Sequence, residues 1–79
     1  MQESSEPKLK EVFRAVLHEQ AGSDPSGLRM ETTPAWDSLA HALLVSAIES
    51  EFGIEIDVAD SLELTSYEAA NSYLTERGL

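Results

Sequence analysis

Within five residues, Asp37-Ser38-Leu39-Ala40-His41 brings together a carboxylate, a hydroxyl and an imidazole. Ser38 and His41, three apart on a helix, share a face and suggest a nucleophile with its base. A working triad also needs a carboxylate that orients the imidazole and an oxyanion site within a pocket. A bundle of 79 residues has little room for one. On the helical wheel His41 turns toward the core, which predicts a packed, neutral histidine and no intrinsic catalysis. His18 has no partner that would make a metal site. Asp57-Val58-Ala59-Asp60-Ser61-Leu62-Glu63 is acidic but lacks the alternating ligands and central glycine of a calcium loop, so it reads as solvated surface. No glycine-rich phosphate loop is present.

Ser38 then stands as an acceptor of chemistry done by others. Asp37 and Ser38 are both residue types that hydrogen-bond the free N–H groups of a helix's first turn. From Leu39 the chain stays helix-compatible to Phe52, with no Gly or Pro before Gly53. A serine at such a start has its hydroxyl outside the helix, beside the positive end of the dipole. That end suits a phosphate on the oxygen.

The elements that hold this serine follow from pattern. Residues 1–6 read as a frayed tail, and Pro7 suits a first helical turn. Leu9, Val12, Phe13, Val16 and Leu17 form one apolar stripe of a helix reaching about Gln20, closed by Ala21-Gly22. Residues 22–36, broken by Gly22, Pro25, Gly27 and Pro34, read as a long loop pinned by Leu28 and Met30. Loops of that length in small domains are often functional. Trp36 is expected to pack where the next helix begins.

In the second helix, Leu44, Val45, Ile48 and Phe52 cluster toward the core. Leu39, Ala42, Leu43, Ser46, Glu49 and Ser50 cluster opposite, and the two outward leucines suggest a docking surface unless neighbouring elements cover them. Gly53-Ile54-Glu55-Ile56-Asp57 alternates like a strand but has nothing to pair with, so an extended connector is expected. Val58–Leu62 suits one short helical turn. Thr65 and Glu68 match a capping box that opens a last helix, running to about Arg77 and ended by Gly78. The sum is an all-α, small four-helix bundle, three main helices plus one short one, with a long loop between helices 1 and 2. Residues 1–79 read as one domain.

Charge bounds the partners. Fifteen acids against five bases give a net charge of −10, and between Met30 and Glu76 there are ten acids and no Lys or Arg. Such a surface repels nucleic acid and anionic lipid and attracts basic protein patches. No run approaches membrane-spanning length and the first residues lack a signal peptide's basic start, so a soluble, cytoplasmic monomer is expected. With no cysteine, any thiol chemistry has to come from an attached group.

Asp37-Ser38-Leu39, Leu43-Leu44-Val45 and Ala47-Ile48-Glu49-Ser50-Glu51-Phe52-Gly53-Ile54-Glu55-Ile56 together resemble the acyl carrier protein family over nearly the whole chain. The resemblance implies that a phosphopantetheinyl transferase attaches 4′-phosphopantetheine from coenzyme A to Ser38. It implies too that Asp37 helps place the transferase and its metal, and that the arm's thiol carries acyl or aminoacyl groups as thioesters. The implied partners are that transferase, a loading ligase or transferase, and downstream biosynthetic enzymes with basic or apolar docking patches. They would meet Leu39, Ala42, Leu43, Ser46 and Glu49.

The chain departs from fatty-acid carriers where Ala40 and Leu43 replace acids, so its docking face opens apolar. Trp36-Asp37-Ser38-Leu39-Ala40-His41 looks more like the free-standing carriers of specialised bacterial pathways, and Met1 with a capped last helix favours a free-standing protein. The alternative is an unmodified acidic adaptor that docks a basic partner through its second helix.

Overall fold

The computed structural model describes residues 6–17 and 25–79. Among them are four α-helices, in order α1 (Glu6–Leu17), α2 (Ser38–Phe52), α3 (Val58–Ser61) and α4 (Tyr67–Glu76). The fold is all-α, and no strand forms among the described residues. Residues 1–5 of the expected tail lie outside the described residues, while Glu6 already opens α1. The expected closure of the first helix at Ala21-Gly22, and His18, also lie outside them.

The helical periodicities translate directly into burial. Leu9, Val12, Phe13 and Leu17 of α1 meet Leu44 and Ile48 of α2 and Tyr67, Ala70 and Leu74 of α4 in one core. Val16, Val45, Phe52 and Tyr73 pack half-buried against it. Trp36, Ile56 and Leu64 enter from the connectors, so the loops are part of the core as well as links between helices. The rings of Phe13 and Trp36 meet edge-on at 5.4 Å, and Phe13 and Tyr67 at 5.2 Å, geometries that favour aromatic packing beyond area burial.

The long first loop is more ordered than its Gly, Pro and Ser content predicts. Two 3₁₀ turns, Pro25–Gly27 and Met30–Thr32, lie within it, with Pro25 and Thr33 buried. Leu28 and Met30 pin it as expected. Their backbone adds what composition does not reveal: Met30 N–H donates to Thr65 C=O at 2.8 Å and Tyr67 N–H to Leu28 C=O at 3.0 Å. This two-bond bridge fastens the loop to the start of α4 and satisfies polar backbone groups that burial would otherwise orphan.

That bridge also corrects the expected cap. Ser66, not Thr65, is the N-cap of α4, its Oγ accepting the Ala69 N–H at 3.0 Å. Glu68 is therefore at the second helical position, one short of a reciprocal box. The bridge occupies Thr65's carbonyl and holds Ser66 extended, which delays the first turn by one residue. At the end of α2, Gly53 takes the left-handed conformation (φ 66°) and its N–H returns to Glu49 C=O, the conformation glycine adopts without a side-chain penalty.

Candidate functional site

The turn that presents Ser38 is fixed from both sides. On one side Trp36 is sunk into the core at 2% exposure, its N–H donating to Thr33 C=O at 2.9 Å. On the other, Asp37 is extended and acts as the N-cap of α2: its Oδ1 accepts the Ala40 N–H at 2.9 Å. Asp37 thus takes the capping role open to either residue, and Ser38 becomes the first helical residue with an exposed side chain. Ser38 opens the helix, where the first N–H groups have no intrahelical partners; Asp37 takes up that of Ala40, and no acid lies within the first turn itself.

His41 lies one turn on. It is half-buried, and both ring nitrogens are engaged. Trp36 Nε1–H donates to Nδ1 at 3.0 Å, and Nε2 lies 2.7 Å from Ser61 C=O, with the two rings stacked at 6.0 Å. With Nδ1 accepting from an indole and Nε2 facing a carbonyl, the imidazole has no position left from which to serve Ser38 as a base. The packed reading of His41 holds, and its partners explain it.

Beside Ser38 opens a cleft of about 460 Å³ between α2 and α3. Ser38, His41, Ala42, Val45 and Ser46 line it along α2, Val58 and Leu62 from the α3 side. Ala42 and Ser46, placed on the outward face by the wheel, therefore border a groove rather than open solvent. Leu39 and Leu43 stand 71% and 56% exposed and uncovered, as the docking reading requires. Val58 and Leu62, at 76% and 68%, continue this apolar rim across the cleft. Sequence reasoning passed over both; their signal was an i, i+4 apolar pair inside an otherwise acidic stretch.

Glu49 differs from its expected place on the docking face. It is half-buried, with Oε2 accepting the Ile56 N–H at 2.7 Å. The connector folds back over the end of α2 and claims the carboxylate. Farther along, Asp60 accepts from Tyr73 Oη–H at 2.9 Å and pairs with Arg77 at 3.3 Å, while the Arg77 guanidinium stacks 3.7 Å over the Tyr73 ring. Burial first, and then the Asp60 hydrogen bond, raise the Tyr73 phenol above its usual range against the opposing charge of Arg77. Among the described residues no group of three or more His, Cys, Asp or Glu is arranged to hold a metal ion. Among the described residues no helix is long and apolar enough to cross a membrane.

A small helical bundle that exposes one serine at a helix start, next to an apolar cleft and an apolar rim, has the form of a carrier on which other proteins act. The sequence is 34% identical over 76 residues to the acyl carrier protein of Bdellovibrio bacteriovorus, a match covering 91% of this chain and 92% of that protein. The chain belongs to the acyl carrier protein family, and its general role is to carry rather than to catalyse. Members of the family generally bear a phosphopantetheine group and work with transferases and biosynthetic enzymes. No family model matches the chain, and no solved structure does.

Proposed function

We propose that Ser38 receives 4′-phosphopantetheine from coenzyme A and that the chain delivers acyl or aminoacyl thioesters on that arm to enzymes of a fatty-acid-like or specialised biosynthesis. In the loading step the Ser38 oxygen forms a new bond to the phosphorus of the pantetheine half. The pyrophosphate link of coenzyme A breaks, the nucleotide half leaves, and the hydroxyl proton is lost. One observation carries this reading. Asp37 caps α2, so Ser38 is exposed at the positive end of the helix, at the mouth of the apolar cleft. A phosphodiester on that oxygen would sit near unpaired N–H groups, with the Asp37 carboxylate turned onto Ala40 N–H. The chain's lack of cysteine leaves no protein thiol to compete for the thioester.

Leu39 and Leu43, flanked by Ala42 and Ser46, support docking by partners with apolar patches, and Val58 with Leu62 extends that surface. Glu49 borders this surface while its carboxylate holds the connector. The acid-rich second half adds long-range attraction for basic partners. The phosphopantetheinyl transferase, the loading enzyme and the downstream enzymes would share this face.

Intact mass after incubation with coenzyme A and a broad-specificity phosphopantetheinyl transferase tests the assignment. A gain of one phosphopantetheinyl group, absent in Ser38→Ala, is expected. Modification of Ser38→Ala would place the site elsewhere. No gain on folded protein with several transferases would leave the unmodified adaptor as the better reading.

A further inference from the structure

α3 is a single turn, and none of its four residues is buried. Core packing anchors the chain on either side, at Ile56 and Leu64, but not the turn itself, whose placement between those anchors depends on hydrogen bonds. Two local ones involve side chains: Asp57 Oδ1 accepts the Asp60 N–H at 2.8 Å, and Ser61 Oγ–H donates to Val58 C=O at 2.8 Å. Three more, from two residues, tie it to the rest of the bundle. Asp60 reaches Tyr73 and Arg77 of the α4 end, and the Ser61 carbonyl reaches His41 of α2. The His41 tie lies on the cleft side, where His41, Ser61 and Ser38 all line the opening. The Asp60 tie faces a second hollow, with Glu49, Glu55, Tyr73 and Arg77.

We propose that His41 is a positioning residue that clasps α3 to the Ser38 turn, and that release of this clasp opens the cleft while the Asp60 contacts serve as the hinge. The indole N–H of Trp36 can only donate, so Nδ1 of His41 must accept. The Ser61 carbonyl can only accept, so Nε2 must carry the proton. The other tautomer would set two N–H groups against each other at Trp36 and two acceptors against each other at Ser61. A tryptophan fixed in the core thereby dictates which imidazole nitrogen holds the proton that ties down α3. The inference rests on the carrier reading only for what enters the cleft; the clasp is a property of the unmodified chain.

The test uses unmodified protein, so its outcome is separate from that of the loading assay. Long-range proton–nitrogen NMR of His41 should show the Nε2–H tautomer. In His41→Leu, amide exchange at Ser61, Leu62, Glu63 and Leu64 should quicken by about five- to tenfold, the scale of one lost hydrogen bond. Exchange at Leu44 through Ile48 should stay as in the parent. Trp36→Phe keeps an aromatic ring but removes the donor, so it should yield mixed tautomers and faster exchange at the same four amides. If His41→Leu fails to fold, the parent spectrum and Trp36→Phe still decide. An Nδ1–H tautomer in the parent, unchanged exchange at residues 61–64, or acceleration spread evenly over the helices would overturn the proposal.

Discussion

The carboxylate of Glu49 accepts the backbone N–H of Ile56 at 2.7 Å, joining the last turn of α2 to the connector that leads into α3. The same residue's carbonyl accepts the N–H of Gly53 at 2.9 Å, so both chain reversal and connector are anchored at one position. Glu49→Ala should cost about 1–3 kcal/mol, because it leaves a buried donor at Ile56 without its partner. Glu49→Gln retains an acceptor oxygen and should cost less. Urea unfolding of the two variants beside the parent measures the difference, and equal midpoints for all three would show that the bond contributes nothing.

Under the proposed carrier role, the apolar rim serves docking and not folding. Leu43→Ser and Leu62→Ser change side chains that are mostly in solvent, so each should move stability by no more than about 0.5 kcal/mol. Each should lower kcat/KM for loading Ser38 by roughly tenfold, corresponding to about 1.4 kcal/mol of lost docking. Transferase kinetics with thermal melts on the same samples check both halves. Unchanged loading by both variants would remove the rim from the transferase interface.

Tyr73 gives the fold an alkaline signature. Its phenol titrates above the ordinary 10.0 in the folded chain, through burial and the Asp60 hydrogen bond. The folded state therefore keeps the proton at pH values where the unfolded chain has lost it. The resulting stabilisation is complete below about pH 10 and fades as pH rises through the folded value. Tyr73→Phe should be less stable at about pH 8, having lost the bond to Asp60, and should lose less further stability by about pH 11. Urea midpoints at both pH values test this; parallel losses in parent and variant would exclude Tyr73 as the source.

What could be read from the sequence was whatever is settled within one or two helical turns. Asp37 before an apolar run and Gly53 after it bracket α2 at the observed ends, because capping is a local hydrogen-bond question. The stripe Leu9, Val12, Phe13, Leu17 gave α1 its buried face for the same reason. Contacts made by segments folding over one another were out of reach. A wheel gives the angle of Glu49 but not the arrival of Ile56 above it. Nothing in the spacing of His41 indicates a carbonyl twenty residues away at Ser61. The shift of the last cap from Thr65 to Ser66 arose likewise, from a bridge to Leu28 and Met30 far back in the chain. The placement of Asp37 and Ser38 at the helix start and the exposed leucines were legible; the cleft between α2 and α3 and the Val58–Leu62 side of its rim were not.

Because α3 contributes no buried residue, its exposed apolar positions are nearly decoupled from whether the protein folds, while Asp60 and Ser61 keep their bonds to the bundle. Val58, Ala59 and Leu62 can be exchanged while the core of α1, α2 and α4 keeps its composition. One wall of the groove beside Ser38 is thus open to redesign with little risk to the scaffold, and under the proposed carrier role that wall would be where a change of partner costs the fold least.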